Sequence, residues 1–223
     1  MGIHVEVESQ SGCFRAYEAP AVGRARAGTI LLLHDWFGLN DRMRAHAEHL
    51  AAHGFHALAL DLYRGMVALS TDSARGLAGE LKLDYALGVV EAAARYARAQ
   101  PNSTGKVGLV GFCLGGAIAM AAGSCIEDIS ATVTFCGLAP ARYTDDARLK
   151  TPVMGHYAAR DPLLPIQQPQ AAFAALSAAG RRALFHPYEA GYAFMRVDSQ
   201  TYHPGWAELA WKRTVGMFQE ELH

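Results

Sequence analysis

The sequence predicts an α/β domain in which a mainly parallel sheet carries helices on both faces. Strand-like and helix-like segments alternate along the chain, which is typical of βαβ units. The segment TILLLHD, residues 29–35, is a continuous apolar run of the kind found in strands buried on both faces of a parallel sheet. With 223 residues, 51% of them hydrophobic, and no internal repeat or linker, the chain is expected to form a single domain over residues 1–223.

The remaining elements follow this alternation. Asn40 or Asp41 can cap the first helix, residues 41–54, which Gly54 ends, and Pro101 ends the second helix, residues 81–100. Polar and small residues predict a long connection over residues 64–79. Further helices are predicted after the cysteine turn at residue 113 and at residues 166–180 and 204–222, and further strands at residues 1–12, 55–63, 107–110, 129–137, 151–161 and 183–191.

Composition excludes several classes of function. The formal charge is −1 without a basic block, which argues against a nucleic-acid partner, and no segment approaches the about 20 apolar residues of a membrane span. The N-terminal segment MGIHVEVESQSG lacks the apolar core of a signal peptide. The four cysteines, Cys13, Cys113, Cys125 and Cys136, form no C-x-x-C pair, which favours free thiols. We expect a cytoplasmic monomer or small homo-oligomer, without metal or cofactor, that acts on a small molecule.

The segment GKVGLVGFCLGGAIAMAAGS, residues 105–124, contains the most informative motif. An apolar strand meets G-x-C-x-G at Gly111 and is followed by small, helix-forming residues. This turn would place Cys113 at a helix N-terminus, whose partial positive charge favours a thiolate, and the N–H of Leu114 could bind an oxyanion. The alternative is a buried cysteine in a glycine-rich packing turn, but the context favours a nucleophile. Cys13, Cys125 and Cys136 lack such a turn and are interpreted as packing residues.

Several motifs, in order along nearly the whole chain, resemble those of the dienelactone hydrolase family of α/β-hydrolases. GFCLGG is similar to the family's elbow, G-[YF]-C-x-G-G, and HDWFGLN to its Q-E-x-F-G-x-N. ALDLY, AARDPLLP and YEAGYAFMR resemble the family's P-D-L-Y, G-x-x-D-x-x-x-P and Y-x-x-A-G-H-x-F-x-R. The resemblance implies an α/β-hydrolase fold and a Cys-His-Asp triad that opens a lactone ring through an acyl-enzyme, without a metal.

One member of that triad is missing. Asp161 matches the family's acid, although an aspartate before Pro162 is also a common turn residue. The family's histidine falls on Tyr192, and a phenol with a pKa of about 10 cannot readily accept a proton at pH 7. His203 and His34 are the first candidates for a substitute base.

The loop after the strand at residues 29–35 supplies the next candidates. Asp35 occupies the place of a family glutamate that helps to activate the thiol, or it begins the loop and hydrogen-bonds its own backbone. The resemblance implies that the N–H of Trp36 is the second oxyanion donor and that Phe37 and Trp36 border the pocket. Arg196 matches a family arginine that grips a substrate carboxylate, unless it pairs with Asp198 or Glu189 on the surface.

Two other groups of residues in the sequence bear on ligand or metal binding. The second family arginine falls near Thr71, and Arg75 is the nearest cation that could replace it. His46, His49 and His53 could share one helix face, but no carboxylate or cysteine completes a metal site, so a solvated face is the better interpretation.

Two functional hypotheses follow. The first is a hydrolase of a small lactone or ester that forms an acyl-enzyme at Cys113, with activity impaired by Tyr192. The second is a family member that has lost hydrolysis and binds a small carboxylate or performs other chemistry at Cys113. A redox-sensing thiol is a third possibility, and it needs a resolving cysteine near Cys113 that the sequence does not identify.

Overall fold

Eight strands form one sheet in the computed structural model, which describes residues 2–9, 12–143, 149 and 151–223. The strands of this part of the chain are β1 (Ile3–Ser9), β2 (Gly12–Ala19), β3 (Ala27–Leu33), β4 (His56–Leu60), β5 (Ser103–Phe112), β6 (Ile129–Phe135), β7 (Val153–Arg160) and β8 (Ala183–Gly191). The helices are α1 (Asp41–Ala52), α2 (Thr71–Glu80), α3 (Leu83–Ala99), α4 (Leu114–Cys125), α5 (Gln167–Ala178) and α6 (Pro204–Leu222), with a short 3₁₀ turn at Ala141–Tyr143.

The sheet has the order β1-β2-β4-β3-β5-β6-β7-β8, and every pair from β4 to β8 is parallel. β1 and β2 are added at one end as antiparallel strands. The predicted α/β-hydrolase fold, mainly parallel with helices on both faces, is confirmed. The parallel arrangement brings the C-terminal ends of β3, β5, β6, β7 and β8 to one edge, where ligands bind in open α/β sheets.

Both faces of the sheet are buried, as the apolar run in residues 29–35 predicts. Ile30 and Leu32 pack in a cluster with residues of α1 and α6, while Leu31 and Leu33 pack with residues of α3 and α4 on the opposite face. All four side chains are completely buried. Because its side chains are buried alternately on the two faces, the orientation of β3 is fixed, and with it the position of the loop that follows.

Two elements differ from the sequence-based expectation. The connection at residues 64–79 contains α2, whose N-terminus is closed by a capping box between Ser70 and Ser73. Ala74 is its one buried residue, so the helix lacks the apolar period that would reveal it. β2 was also not predicted. No helix separates it from the strand before it or the strand after it, so the alternation of strands and helices does not reveal it. Of the N-terminal strand predicted at residues 1–12, positions 1, 10 and 11 lie outside the described residues.

No described helix combines the length and apolar character that crossing a membrane would require.

Candidate active site

The turn between β5 and α4 is a strained strand-to-helix elbow. Cys113 adopts φ 51° and ψ −109°, an unusual conformation for a residue with a side chain, and it directly precedes the first residue of α4. Glycine is required beside it, since a Cβ on Gly111 would lie only 2.1 Å from the carbonyl oxygen of Gly115. The elbow therefore projects Cys113 at the C-terminal edge of the sheet, as predicted for a nucleophile.

Two hydrogen-bond donors contact the Cys113 thiol. The hydroxyl of Tyr192 lies 3.6 Å from Sγ, and the N–H of Leu114 points to the same atom. Burial raises the pKa of the thiol; Tyr192 and Leu114 lower it, and the negative charges of Asp35 and Asp161 raise it again. The net shift of the Cys113 pKa is upward, so burial outweighs the helix N-terminus that was expected to favour a thiolate.

Tyr192 follows β8 and occupies the position where the family resemblance places a histidine. Burial raises its pKa above the ordinary value, and the neighbouring Cys113 raises it further. The phenol is consequently protonated at neutral pH and donates its hydrogen bond to Sγ. It does not act as a proton acceptor in this state.

Asp161 lies at the end of β7, on the same edge of the sheet. Its Oδ1 accepts hydrogen bonds from the N–H groups of Leu163 and Leu164, at 2.8 and 3.2 Å, so it also closes its own turn. Burial raises the pKa of its carboxyl group, and the two N–H groups lower it. Burial is the main cause of the raised pKa values of Cys113 and Cys136, and the negative charge of Asp161 raises both further.

Asp35 is held on both of its oxygens. Oδ1 accepts the N–H of Phe37 at 2.9 Å, and Oδ2 accepts a guanidinium N–H of Arg42 at 2.5 Å. The contact with its own loop was one of the two predicted alternatives. Arg42, in the first turn of α1, was not predicted, because an arginine on an exposed-looking helix face gives no motif. Its side chain is only 20% exposed.

The predicted oxyanion donors lie on the two loops that meet at the elbow. Leu114 N–H contributes to the environment of Cys113 Sγ, as described above. Trp36 lies in the turn after Asp35, where Gly38 N–H donates to the carbonyl of Asp35 at 3.3 Å. Since the N–H of Phe37 is already bonded to Asp35, Trp36 remains the predicted second donor.

A cavity of about 50 Å³ lies beside Cys113. Arg196 borders it, with its guanidinium 5.5 Å above the ring of Phe37 and its Nε 3.1 Å from Asp198. Arg196 therefore both borders the cavity and pairs with Asp198, which were the two alternatives predicted for it. Phe37 contacts Arg196 but is not among the residues that line the cavity. The residues lining the cavity are Asp35, Arg42, Met43, His46, Phe112, Cys113, Phe135, Cys136, Tyr192, Ala193, Phe194, Met195 and Arg196.

The cavity holds a second guanidinium, at a position that the sequence motifs did not indicate. Thr71 begins α2, and Arg75 is exposed there and pairs with Asp72 at 3.1 Å. Arg42 instead lines the cavity together with Arg196, and Asp198 lies 3.7 Å from Arg42 and 3.1 Å from Arg196.

The two histidines proposed as substitute bases are engaged elsewhere. His34 is fully buried, with Nδ1 2.6 Å from the carbonyl of Asp35 and Nε2 accepting the N–H of Leu62 at 3.2 Å. His203 caps α6 by accepting the N–H of Trp206. His46 is the histidine that borders the cavity, and it stacks on Phe112 at 4.8 Å.

Burial lowers the pKa of His46 to about 3, with Arg42 and His49 contributing. Its imidazole is therefore neutral at pH 7 but a weak base. His49 and His53 contact each other, with ring centroids 4.5 Å apart. Within the described residues, no group of three or more histidine, cysteine, aspartate or glutamate side chains is arranged to hold a metal ion.

An elbow cysteine at the C-terminal edge of a mainly parallel sheet, with an acid after a later strand, defines a protein of the α/β-hydrolase class. The sequence model of the dienelactone hydrolase family matches residues 14–222. The chain therefore belongs to the dienelactone hydrolase family, whose members are hydrolases.

Individual relatives agree with this assignment. The chain is 30% identical to the carboxymethylenebutenolidase of Pseudomonas putida over 221 residues, covering 95% of this chain and 93% of that protein. It is also 30% identical to the carboxymethylenebutenolidase of Pseudomonas sp. strain P51, covering 98% of this chain and 94% of that protein. A solved dienelactone hydrolase-like promiscuous phosphotriesterase from metagenomic libraries has the same fold, with a TM-score of 0.85 and 23% identity, covering 100% of this chain and 99% of that one.

Proposed function

We propose that the protein is a cysteine hydrolase of small lactones or esters, that it forms an acyl-enzyme at Cys113, and that Tyr192 limits its turnover. The observation that carries this proposal is the 3.6 Å contact between the Tyr192 hydroxyl and Cys113 Sγ. The names of the Pseudomonas relatives support a lactone as the substrate class.

Acylation can proceed with the groups present. Sγ attacks the ester carbonyl, the N–H groups of Leu114 and Trp36 stabilise the oxyanion, and the thiol proton ends on the leaving oxygen. Tyr192 sits beside Sγ and can donate a hydrogen bond as the leaving oxygen gains charge. The products of this half-reaction are a thioester at Cys113 and the free alcohol.

Deacylation is the difficult half. A water molecule must lose a proton as it attacks the thioester, and a positioned imidazole typically accelerates such steps by about 10²–10⁴-fold. Tyr192 is protonated and cannot accept that proton, and His46 is a weak base. We infer that the acyl-enzyme accumulates.

Substrate binding is assigned to the two guanidinium groups of the cavity. Arg196 is oriented by Asp198 and the ring of Phe37, and Arg42 by Asp35. A guanidinium binds both oxygens of a carboxylate at once, so the preferred substrate carries a carboxylate. In this proposal Asp35 positions Arg42, and Asp161 is the acid that would orient a base placed at residue 192.

The alternative proposal is a family member that has lost hydrolysis and binds a small carboxylate, or performs other chemistry at Cys113. The raised pKa of the Cys113 thiol favours this alternative. In this alternative Arg42 and Arg196 still bind the ligand, but Cys113 forms no acyl-enzyme.

The test is pre-steady-state hydrolysis of p-nitrophenyl acetate. The wild-type protein should release about one equivalent of nitrophenol per chain in a burst and then stall, with an acetyl group on Cys113 by intact mass. Tyr192→His should raise the steady-state rate by roughly 10²-fold, and Cys113→Ala should abolish the burst.

Two results would contradict the proposal. Rapid wild-type turnover that Tyr192→His does not improve would mean that another base is present. A protein that shows neither burst nor acyl adduct, but is stabilised against thermal unfolding by a small carboxylate, would support the alternative instead.

A further inference from the structure

Cys136 lies next to the nucleophile, on the neighbouring strand. Cys113 directly follows β5 and Cys136 directly follows β6, and the last residues of these strands, Phe112 and Phe135, are register partners. Adjacent strands in a sheet lie about 4.8 Å apart. A disulfide joins Cα atoms that are about 4.4–6.8 Å apart, so the backbone spacing at this place suits one.

The chain after β6 is held against the elbow. Cys113 N–H donates to the carbonyl of Phe135 at 2.7 Å, and a Cβ on Gly137 would lie 2.5 Å from the carbonyl oxygen of Cys113. Cys136 N–H in turn donates to the carbonyl of His156 at 2.9 Å on β7. The two cysteine backbones are therefore fixed relative to each other by direct contacts.

Both cysteines leave their strands in the same unusual way. Cys113 has φ 51° and Cys136 has φ 52°, in the left-handed region that residues with a side chain rarely adopt. Both residues border the cavity of about 50 Å³. The other two cysteines are exposed, Cys13 on β2 and Cys125 at the end of α4.

Nothing in the hydrolase proposal uses Cys136. Burial raises the pKa of Cys136 to about 12, the N–H of Ala158 lowers it, and the negative charges of Asp161 and Cys113 raise it further. A second thiol beside the nucleophile meets the requirement for a resolving cysteine that the sequence leaves open.

We propose that Cys113 and Cys136 form a dithiol pair that a hydroperoxide converts to an intramolecular disulfide. The Cys113 thiolate attacks the O–O bond, giving the sulfenic acid and an alkoxide or hydroxide, so that sulfur loses two electrons and the peroxide gains them. The Cys136 thiol then attacks the sulfenic sulfur, and its proton and the sulfenic OH leave as water. A thiol reductant cleaves this disulfide and restores both thiols, so disulfide formation protects Cys113 from irreversible oxidation.

The experiment treats the full-length protein with hydrogen peroxide at about pH 8.5, where thiolates are more populated. Intact mass spectrometry and non-reducing peptide mapping follow the products. The wild type should lose two hydrogens and yield a linked peptide pair containing Cys113 and Cys136, and dithiothreitol should reverse both changes. The Cys13→Ser/Cys125→Ser double variant should behave identically, because neither exposed cysteine takes part.

Cys136→Ser should divert Cys113 to sulfinic and sulfonic acids that dithiothreitol does not reverse, and Cys136→Ala repeats this test if the serine variant folds poorly. Wild-type Cys113 that over-oxidises without a linked peptide, or that pairs with Cys13 or Cys125, would overturn the proposal. The readout is mass, so it is independent of hydrolysis: a failed burst leaves the disulfide testable, and a missing disulfide leaves the hydrolase proposal intact.

Discussion

At the scale of single residues, the thiol of Cys113 is subject to opposing effects on its pKa. Burial and the charges of Asp35 and Asp161 favour the protonated thiol, while the Tyr192 hydroxyl and Leu114 N–H favour the thiolate. Tyr192 thus favours the thiolate of Cys113 by donating a hydrogen bond, but a protonated phenol cannot replace a base. Two predictions follow at this scale, one for the Tyr192 hydrogen bond and one for the Arg196 guanidinium.

The first concerns the hydrogen bond itself. Alkylation of Cys113 by iodoacetamide should have a midpoint above the ordinary pKa of a cysteine, because burial raises that pKa. Tyr192→Phe removes the donor, so the midpoint should rise further and the rate at pH 8 should fall. Tyr85→Phe, a tyrosine on α3 stacked against Arg64, is the control and should leave the profile unchanged. A lower midpoint in Tyr192→Phe would show that the hydroxyl does not stabilise the thiolate.

The second concerns Arg196. Arg196→Gln should slow acylation by an ester that carries a carboxylate by about 10–100-fold, the equivalent of one charge-assisted hydrogen bond, and should change acylation by a neutral ester little. The burst rate constants for the two esters measure this difference. Arg160→Gln, which alters an arginine that bonds the carbonyl of Glu189, is the matched control. Equal losses for both esters would argue against carboxylate recognition.

At the scale of elements, the sequence was most informative where burial imposes a regular pattern. The apolar runs of β3 and β5, the Asn40 cap of α1 and the start of α6 at Pro204 could be predicted because each has a local physical signature. α2 could not, since its one buried residue is Ala74. At the site, Cys113, Asp161, Tyr192 and Arg196 were found through motifs, whereas Arg42, His46 and Cys136 meet the cavity only through tertiary packing that has no signal in the chain.

The elbow also makes a prediction about stability. Gly137→Ala would place a methyl group 2.5 Å from Cys113 O and from Ala117 N, so it should lower the free energy of unfolding by about 1–3 kcal/mol. Gly88→Ala is the matched control, because nothing lies within 4 Å of that Cβ in α3, and alanine should raise the free energy of unfolding by about 0.5–1 kcal/mol. Urea unfolding measures both changes. Equal effects would mean that β6 does not pack against the elbow as described.

At the scale of the whole molecule, several histidines serve as buried, neutral packing residues. His156 lies between the Tyr188 hydroxyl and the Thr214 hydroxyl, at 2.8 and 3.0 Å, and its pKa is lowered well below the ordinary value by burial, His186 and Arg213. Burial also lowers the pKa of His34 and that of His46. Because the fold holds these three imidazoles neutral, the free energy of unfolding depends on pH.

The last prediction follows from the sign of these shifts. A histidine whose pKa is lower in the folded state stabilises the protein fully above its unfolded pKa, about 6.5, and loses that contribution as the pH falls towards the folded value. Below pH 6 each histidine lowers the free energy of unfolding by up to about 1.4 kcal/mol per pH unit for as long as the pH stays above its folded pKa, so the free energy of unfolding should fall steadily as the pH falls from 6 to 4. His46→Gln removes one of the three protons taken up on unfolding and should make the decline shallower, down to the folded pKa of about 3. Urea titrations from pH 7 to 4 provide the measurement, and a free energy that stays constant from pH 7 to 5 would show that these imidazoles are not held neutral by the fold.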